Sequence, residues 1–293
     1  MLSYRHSFHA GNAADVFKHL ILIYCLKYLL QKDAPLLCVD THAGAGTYRL
    51  NKYGTKEWMG GIGKLRENRE KFNINEHIKH YLELTCNENG IYPGSPVIMG
   101  KLLRRQDRLV CFELHPKDYA ELDNAFRNYR DVAKSAPACA DVKCSRIEAR
   151  HEHGLLSLKS LLPPPFGRGL ILIDPSWEEK DEYVLIPQQI TAALKRYALG
   201  TYIIWYPLLI KQKTADSDTI GRNLYNLHAG CCCRAEIYDP EINSSINSPR
   251  GMYGSGLVIF NPPWKLNHDL KNILPLLVTA LTDGGRYNLE WKD

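Results

Sequence analysis

The stretch that decides the fold is Leu170-Ile171-Leu172-Ile173, which runs directly into Asp174-Pro175-Ser176-Trp177. An uninterrupted run of leucine and β-branched residues is typical of a parallel strand that is buried on both faces. Because proline has no N–H and cannot continue the ladder, Asp174 is predicted to lie at the carboxyl edge of the sheet. Open α/β sheets bind their ligands at that edge, so Asp174 is a candidate functional residue.

The order acid, proline, small residue, aromatic residue is close to the Asp-Pro-Pro-Tyr signature of enzymes that methylate exocyclic amines of nucleic-acid bases. The chemistry of that reaction explains these residue types. An adenine N6 amine is a poor nucleophile because its lone pair is delocalised into the ring. The Asp174 carboxylate and the Pro175 carbonyl can accept its two N–H bonds and favour a more nucleophilic nitrogen, while Trp177 offers a stacking face. A strand-ending Asp-Pro turn without chemistry is the alternative interpretation.

Composition limits the class of protein without choosing a function. The chain has 293 residues, 45% of them hydrophobic, and a net charge of +5, which is compatible with a nucleic-acid partner but does not require one. Its 9 cysteines show no zinc-like spacing, so we expect reduced thiols and no metal. We find no signal peptide and no apolar stretch of about 18 residues. These features predict a cytoplasmic protein with no membrane span.

Strands and helices are predicted to alternate along the chain. The predicted strands are residues 36–39, 108–112, 142–147, 169–173, 200–206, 231–238 and 256–260, and the predicted helices are residues 12–30, 116–128, 182–197 and 265–281. This alternation indicates an α/β fold with a doubly wound, mainly parallel sheet. Residues 51–90 are charged and helical in pattern, which predicts a small helical insertion. Without a separating linker, residues 1–293 are predicted to form a single domain.

Two further strand ends carry candidate binding residues. The first strand runs into Asp40-Thr41-His42-Ala43-Gly44-Ala45-Gly46, where Gly44 and Gly46 would let the backbone approach a ligand. Neither a Gly-x-Gly-x-x-Gly fingerprint nor a P-loop is present, so a plain tight turn is the alternative. Glu113 follows the second strand, where an acid can accept hydrogen bonds from both ribose hydroxyls of an adenosyl group, or simply be exposed. Glycine loop, Glu113 and Asp174, in that order, describe an S-adenosylmethionine site.

Longer motifs reveal a resemblance that covers almost the whole chain. They are residues 1–12 (MLSYRHSFHAGN) followed by 14–16 (ADV) and 18–19 (KH), 40–46 (DTHAGAG), 92–96 (YPGSP), 113–116 (ELHP), 168–175 (RGLILIDP), 205–207 (WYP), 250–252 (RGM) and 261–265 (NPPWK). With these motifs the sequence resembles the RlmJ family of bacterial 23S ribosomal RNA adenine-N6 methyltransferases, which has also been associated with the use of external DNA. The resemblance implies a class I, Rossmann-like methyltransferase fold, S-adenosylmethionine as cofactor and one adenine of 23S rRNA as the target.

The resemblance also implies roles for individual residues. Matching the motifs places cofactor contacts at His19, His42, Ser95, Glu113 and Asp174, and roles in substrate engagement or activity at Tyr4, His6 and Lys18. Tyr4 and His6 would supply a stacking face and a hydrogen-bonding ring in a mobile segment, residues 3–12, that closes over the extruded base. Without the resemblance, Lys18 and His19 would be interpreted as solvated helix residues.

The sequence departs from the family pattern at two places. Ser176 replaces the second proline of the signature, and Trp177 replaces its tyrosine. After the third strand the family has Asp-Gly, whose acid can accept a hydrogen bond from the cofactor's adenine amine. That position aligns with His153-Gly154, so either the histidine binds there or Glu152 reaches in through a one-residue shift.

Other features leave alternatives open. The string Asn261-Pro262-Pro263-Trp264 also fits the signature, but it follows a late strand, so we interpret it as a structural turn. A basic cluster of Lys101, Arg104, Arg105 and Arg108 could contact RNA phosphates or form a solvated face. The interpretation favoured here is a monomeric 23S rRNA methyltransferase. The alternatives are a non-catalytic nucleic-acid-binding protein with a decayed motif at residues 174–177, and an enzyme directed at DNA.

Overall fold

The computed structural model describes residues 6–50, 56–72, 75–85, 90–135, 146–210, 215–240 and 251–293, and it alternates strands with helices. The strands are β1 (Leu37–Asp40), β2 (Thr47–Arg49), β3 (Ile91–Pro93), β4 (Arg108–Phe112), β5 (Arg146–Arg150), β6 (Gly169–Ile173), β7 (Thr201–Leu209), β8 (Cys232–Tyr238), β9 (Met252–Phe260) and β10 (Arg286–Lys292). The helices are α1 (Ala13–Leu29), α2 (Lys64–Glu67), α3 (Arg69–Phe72), α4 (Glu76–Thr85), α5 (Ser95–Leu102), α6 (Pro116–Ser135), α7 (Gly154–Leu161), α8 (Glu182–Arg196), α9 (Ala215–Tyr225) and α10 (Leu266–Leu281). A 3-10 turn (His6–Phe8) precedes α1, and a π-helical turn (Met59–Gly63) precedes α2.

One sheet of 8 strands organises the chain, in the order β10-β8-β9-β7-β6-β1-β4-β5. The strands β5, β4, β1, β6 and β7 are parallel, whereas β9 is antiparallel to both β7 and β8, and β10 is antiparallel to β8. Buried side chains form a separate apolar cluster on each face of the sheet. These observations confirm the predicted doubly wound, mainly parallel sheet.

The carboxyl ends of β1 and β6 lie side by side where the strand order reverses. β1 pairs with β4 on one side and with β6 on the other, so chain connections leave in opposite directions and open a crevice. All residues of β6 are buried, as the apolar run from Leu170 to Ile173 predicts. The sheet therefore carries Asp174 to the edge of this crevice.

Helix α1 crosses one face of the sheet and begins where the sequence predicts. The Asn12 side chain accepts a hydrogen bond from the backbone N–H of Asp15 at 3.0 Å, which makes Asn12 the N-cap. The helix is buried from Ala14 to Leu26, because the sheet, α4, α5 and the π-helical turn surround it. Its first turns face the crevice.

Some elements were not predicted from the sequence. Strands β2 and β3 form a separate two-stranded sheet and are 3 residues long each, which is too short for alternation to be visible. Strand β10 is a half-buried edge strand with charged residues at Arg286, Glu290 and Lys292. Of the third predicted strand, residues 142–145 lie outside the described residues, and the described strand β5 runs from Arg146 to Arg150. Helices α2, α3 and α4 occupy part of residues 51–90, whose status as an insertion into a single domain stays a prediction.

The basic cluster lies at the amino ends of the parallel strands, opposite the crevice. Arg104 donates to both carboxylate oxygens of the buried Asp107 and to the carbonyls of Leu30, Lys32 and Ala34. Arg104 is therefore a structural residue that fixes the loop before β1, and not part of a solvated face.

Among the described residues, no helix combines the length and apolarity needed to cross a bilayer.

Candidate active site

A cavity of about 660 Å³ opens at the carboxyl edge of the sheet. Its lining contains most of the residues singled out from the sequence, namely His6, Lys18, His19, His42, Gly44, Ser95, Glu113, His153, Gly154, Asp174, Pro175 and Trp177. Tyr4 lies outside the described residues. The fold therefore gathers into one space residues that come from the whole first two thirds of the chain.

The glycine loop after β1 contributes backbone to this cavity. Gly44 has φ +60°, and a Cβ there would lie 2.1 Å from the Tyr48 hydroxyl. Gly46 has φ +77° but does not line the cavity; its carbonyl accepts the Gly94 N–H at 2.8 Å, and its Cα faces Leu122. Gly44 thus brings the backbone to the cavity, and Gly46 shapes the turn behind it.

Glu113 ties the end of β4 to the glycine loop. Its carboxylate accepts the Gly44 N–H at 2.8 Å and the His115 N–H at 2.7 Å. Burial raises the pKa of Glu113, and the two backbone hydrogen bonds oppose that rise. Each carboxylate oxygen has a second lone pair, so the group is fixed in place and can still accept from a ligand.

Asp40, at the end of β1, is a buried acid that the sequence reasoning did not select. It accepts a hydrogen bond from Ser95 Oγ at 2.6 Å and from the His42 N–H at 3.2 Å. Burial raises the pKa of Asp40 to about 7, and the nearby Asp174 carboxylate adds to the rise. The strand-end rule that selected Asp174 and Glu113 applies equally to Asp40 and could have found it.

Two cavity histidines are held neutral. Burial lowers the pKa of both His19 and His42 to about 3. His19 Nδ1 lies 2.8 Å from the Tyr92 hydroxyl, and His42 Nδ1 lies 2.8 Å from Thr41 Oγ1. Both rings can therefore offer neutral hydrogen-bonding nitrogens to a ligand without adding charge.

Asp174 carries an ammonium partner. Lys18 Nζ donates to Asp174 Oδ2 and lies 2.9 Å from Asp15 Oδ1. Lys18 is only 3% exposed, so it is not the solvated helix residue that its sequence context suggests. Burial would discharge such a lysine, but the two carboxylates raise its pKa above the ordinary value. Asp15, to which the sequence analysis assigned no role, is therefore part of the site.

The two indoles of the site differ in exposure. Trp177 has φ +56° and is 4% exposed, and its Nε1–H donates to the Trp205 carbonyl at 2.9 Å. Trp205 is half-buried, lines the same cavity, and has Lys18 Nζ 5.8 Å from its ring centroid. Trp205 thus offers more ring surface beside the Asp174 pair, and nothing in the sequence signature points to it.

Ser176 is joined to the start of α8. Its Oγ donates to Glu182 Oε2 at 3.4 Å and accepts from the Glu178 N–H at 3.4 Å. Burial raises the pKa of Glu182. These contacts hold the turn at a position where the usual signature has a rigid proline.

His153, and not Glu152, lines the cavity at the third strand end. Among the described residues, His153 Nδ1 is buried and has no hydrogen-bond partner. Burial lowers the pKa of His153, so the ring is neutral near pH 7. Glu152 is exposed and accepts from Ser157 Oγ at 2.9 Å instead. A Cβ on Gly154 would lie 2.3 Å from the Thr41 carbonyl, which explains a glycine after His153.

Asn261 lies at the opposite edge of the sheet. Strand β9 is antiparallel to β7, so its carboxyl end, Phe260, pairs with Tyr202 near the start of β7. The Asn261 side chain donates to the carbonyls of Ala198 and Gly200 at 2.8 and 2.7 Å. The interpretation of this second motif as a structural turn is confirmed.

The amino-terminal segment is only partly a surface element. Ala10 is 6% exposed and belongs to the core, and the Gly11 carbonyl accepts the Ile62 N–H at 2.9 Å. The sequence predicts a mobile segment over residues 3–12, but within it Ala10 is a core residue and Gly11 is buried against the π-helical turn, so the prediction is wrong for these two residues. Further out, His6 Nε2 lies 2.9 Å from Asp15 Oδ2, and His9 Nδ1 lies 3.0 Å from the Glu57 carboxylate.

Within the described residues, no group of three or more His, Cys, Asp or Glu side chains could hold a metal ion.

Comparison with known proteins gives consistent results. A family model described as ribosomal RNA large subunit methyltransferase D, RlmJ, matches residues 33–293. Ribosomal RNA large subunit methyltransferase J of Haemophilus influenzae is 39% identical over 99% of both chains, and the protein of that name from Escherichia coli is 38% identical over 97% of this chain and 96% of its own. The crystal structure of a Legionella pneumophila protein is 35% identical, with a TM-score of 0.81 over 96% of this chain and 98% of that one.

Proposed function

This chain belongs to the family of ribosomal RNA large subunit methyltransferase J, and on that premise we propose that it methylates the N6 amine of an adenine in 23S rRNA. The methyl donor is S-adenosylmethionine, and the enzyme acts in the cytoplasm as a monomer. The observation that carries this proposal is the position of Asp174. Its carboxylate stands where the strand order reverses, in the same cavity as the glycine loop and Glu113.

The residues of the cavity fit the cofactor. Gly44 leaves its backbone open to the cavity, at a position where any larger residue would collide with the Tyr48 hydroxyl. The Glu113 carboxylate is held in place by two backbone N–H groups and can still accept hydrogen bonds from ribose hydroxyls. His153 Nδ1 is buried without a partner among the described residues, and in the tautomer protonated at Nε2 it would accept a hydrogen bond from an adenine amine. Bound there, S-adenosylmethionine would supply an electrophilic methyl group on a sulfonium.

Asp174 and its neighbours would prepare the target amine. Lys18 holds Asp174 Oδ2, which leaves Oδ1 as the acceptor for one N–H bond of the amine, and the Pro175 carbonyl is the acceptor proposed for the other. Positive charge develops on the nitrogen as it attacks, and a fixed carboxylate favours that charge. The Trp205 ring, half-buried and next to Lys18, is the stacking surface that we assign to the extruded base, with Trp177 packed behind it.

Transfer of labelled methyl groups from S-adenosylmethionine to 23S rRNA lacking the modification tests this function. The unaltered protein should transfer methyl groups to this RNA, and nucleoside analysis should find N6-methyladenosine. Replacing Asp174 by Ala should slow single-turnover transfer on the order of 100- to 1000-fold. Asp174→Asn should be milder, because the amide oxygen still accepts.

Two results would contradict the proposal. One is cofactor binding without transfer to any nucleic acid, which would indicate a non-catalytic binding protein. The other is transfer to duplex DNA in preference to unmodified rRNA under the same conditions, which would assign the substrate to DNA.

A further inference from the structure

Asp15 is a fully buried carboxylate between two residues of the site. It lies in the first turn of α1 and is 1% exposed. Oδ1 lies 2.9 Å from Lys18 Nζ, while Oδ2 accepts the Gly11 N–H at 2.9 Å and lies 2.9 Å from His6 Nε2. Burial opposes ionisation, but electrostatic attraction to His6 and Lys18 holds the pKa of Asp15 well below its usual range. Asp15 is therefore a charged group that only its partners keep stable in the interior.

The Lys18 ammonium is shared by two carboxylates from distant parts of the chain. Asp15 is its i,i+3 neighbour on α1, and Asp174 follows β6. Their side chains are 1% and 13% exposed, so neither attraction is screened as it would be at the surface. Because Asp15 takes part of the interaction with the cation, Asp174 keeps more of its negative charge for another donor.

The second oxygen of Asp15 anchors the amino-terminal segment. His6 packs edge-on against Tyr48, with ring centroids 5.1 Å apart, and its Nε2 points to Asp15 Oδ2. The Gly11 N–H binds the same oxygen. The Asp15 carboxylate therefore holds both Lys18, which contacts Asp174 after β6, and His6 of the amino-terminal segment.

We propose that Asp15 is a positioning residue for the methyl transfer: its carboxylate holds the Lys18 ammonium against Asp174 and fixes His6 at the cavity wall. The proposal rests on the proposed function for its effect on rate, but the hydrogen-bonding link itself is a property of the protein without substrate. Nothing in the family signature around Asp174 points to Asp15, since the two are 159 positions apart in the sequence.

The physical consequence concerns the charge of Lys18. A lysine that is 3% exposed tends to lose its proton, and two close carboxylates prevent this. Replacing Asp15 by Asn keeps the shape and an acceptor for the Gly11 N–H but removes one of those charges. The ammonium should then deprotonate at a lower pH than in the unaltered protein, and Asp174 should lose its fixed partner.

The direct test is a pH titration of the Lys18 side chain by NMR on the full chain with ¹⁵N-labelled lysine, the signal being assigned by its loss in Lys18→Gln. The unaltered protein should show no titration of Lys18 up to about pH 10, and Asp15→Asn should show one below that pH. The other titratable groups that act electrostatically with Lys18 are Asp174, Asp40, His42 and His19. They are present in both proteins, so the difference between the two curves reports Asp15.

Asp107→Asn is the matched control. Asp107 is equally buried and also accepts from a backbone N–H and a basic side chain, but it lies at the amino edge of the sheet. The Asp107→Asn protein should be less stable than the unaltered protein, but its Lys18 side chain should titrate as in the unaltered protein. Asp15→Glu retains the charge and should keep Lys18 protonated, which covers the case in which Asp15→Asn does not fold.

Single-turnover rates complete the test. Asp15→Asn should lower the rate on the order of 100-fold, as expected when reacting groups are misplaced by about an ångström, with cofactor affinity largely kept. Asp15→Asn combined with Lys18→Gln should lose less than the product of the two single losses, because one of the two contacts through which Asp15 acts is with Lys18. An unchanged Lys18 titration in Asp15→Asn, Lys18 titration below about pH 10 in Asp15→Glu, or losses that multiply in the double variant would overturn the role of Asp15. Absence of transfer by the unaltered protein would contradict only the proposed function.

Discussion

At the scale of single residues, the site contains departures from its family signature that the structure explains in part. His153 stands where the resemblance implies an acid, and its Nδ1 is buried without a partner in the described part of the chain. Its ring is neutral, and in the tautomer protonated at Nε2 the Nδ1 atom is an acceptor. An acceptor is also what the acid would provide. The substitution therefore preserves the hydrogen-bonding role that we propose for cofactor adenine recognition, while it removes a negative charge.

Replacing His153 by Ala should weaken S-adenosylmethionine binding about 3- to 10-fold, corresponding to about 0.5–1.5 kcal/mol for one hydrogen bond. Calorimetry at several pH values measures it. Because burial lowers the pKa of His153 from 6.5, its acceptor is present above that pH and is lost only when the pH falls through the lowered value. The difference in affinity between the two proteins should therefore disappear in acid. A constant difference down to the pH of unfolding would contradict a role for the neutral ring.

The two indoles should respond differently to replacement. Trp205→Leu should raise the KM for RNA by removing a stacking surface worth about 1–3 kcal/mol per base. Trp177→Leu should mainly lower the melting temperature, since Trp177 is 4% exposed and belongs to the core. Steady-state kinetics and thermal unfolding of both variants check this. If only Trp177→Leu raised the KM for RNA, the stacking surface would be Trp177 and not Trp205.

At the scale of elements, the amino-terminal segment is fastened to the π-helical turn by close backbone contact. A Cβ on Gly61 would lie 2.1 Å from the Gly11 carbonyl oxygen and 2.4 Å from the Asn12 carbonyl carbon. That approach lets the Ile62 N–H reach the Gly11 carbonyl. This contact fixes the direction in which the chain leads into α1, and Asp15 and Lys18 in the first turns of α1 line the cavity.

Gly61→Ala should destabilise the protein by about 1–3 kcal/mol, because the added methyl group forces the two backbones apart. Gly60→Ala is a matched control, since a Cβ there meets no atom within 4 Å. Denaturant unfolding measures both. We also expect Gly61→Ala, but not Gly60→Ala, to slow methyl transfer beyond its effect on the folded fraction. Equal stabilities of the two variants would mean that the close contact is not needed.

At the scale of the whole molecule, the carboxyl edge of the sheet forms the candidate active site, whereas the amino edge carries structural contacts. The carboxyl edge holds the cavity, and the amino edge holds Arg104 with its buried acid and loop carbonyls. The Arg104 guanidinium is used for contacts within the fold. The basic cluster that the sequence offered as an RNA contact is thus directed away from the proposed reaction.

Arg104→Ala should cost about 1–3 kcal/mol of stability, because it removes donors from the buried Asp107 carboxylate. The salt dependence of RNA binding should not change, whereas loss of a phosphate contact would reduce its slope by about 1. Arg105→Ala, at an exposed neighbour, is the control for stability. A lower salt slope for Arg104→Ala would place RNA at this edge.

The sequence by itself determined the parallel strands of the sheet and the strand ends that line the cavity. Strands β4 and β6 begin and end where predicted. A buried parallel strand consists of a continuous run of apolar residues, and it ends at residues such as Pro175 that cannot continue the ladder. Since the carboxyl ends of parallel strands share one edge, Glu113 and Asp174 could be placed together before any coordinates. The family resemblance added Lys18, His19 and His42, which local pattern does not distinguish from surface residues.

Only the tertiary structure decided which charges are buried and which indole is available. Lys18 meets Asp174 across 156 positions of sequence, and Trp177 donates to Trp205 across 28. The antiparallel course of β9 sends Asn261 to the edge opposite Asp174, although its string fits the signature better. The periodicity of a segment indicates which face of its strand or helix is apolar. The burial, charge state and ring exposure of a residue depend on which side chains of other elements pack against it, and the sequence of one segment does not contain those contacts.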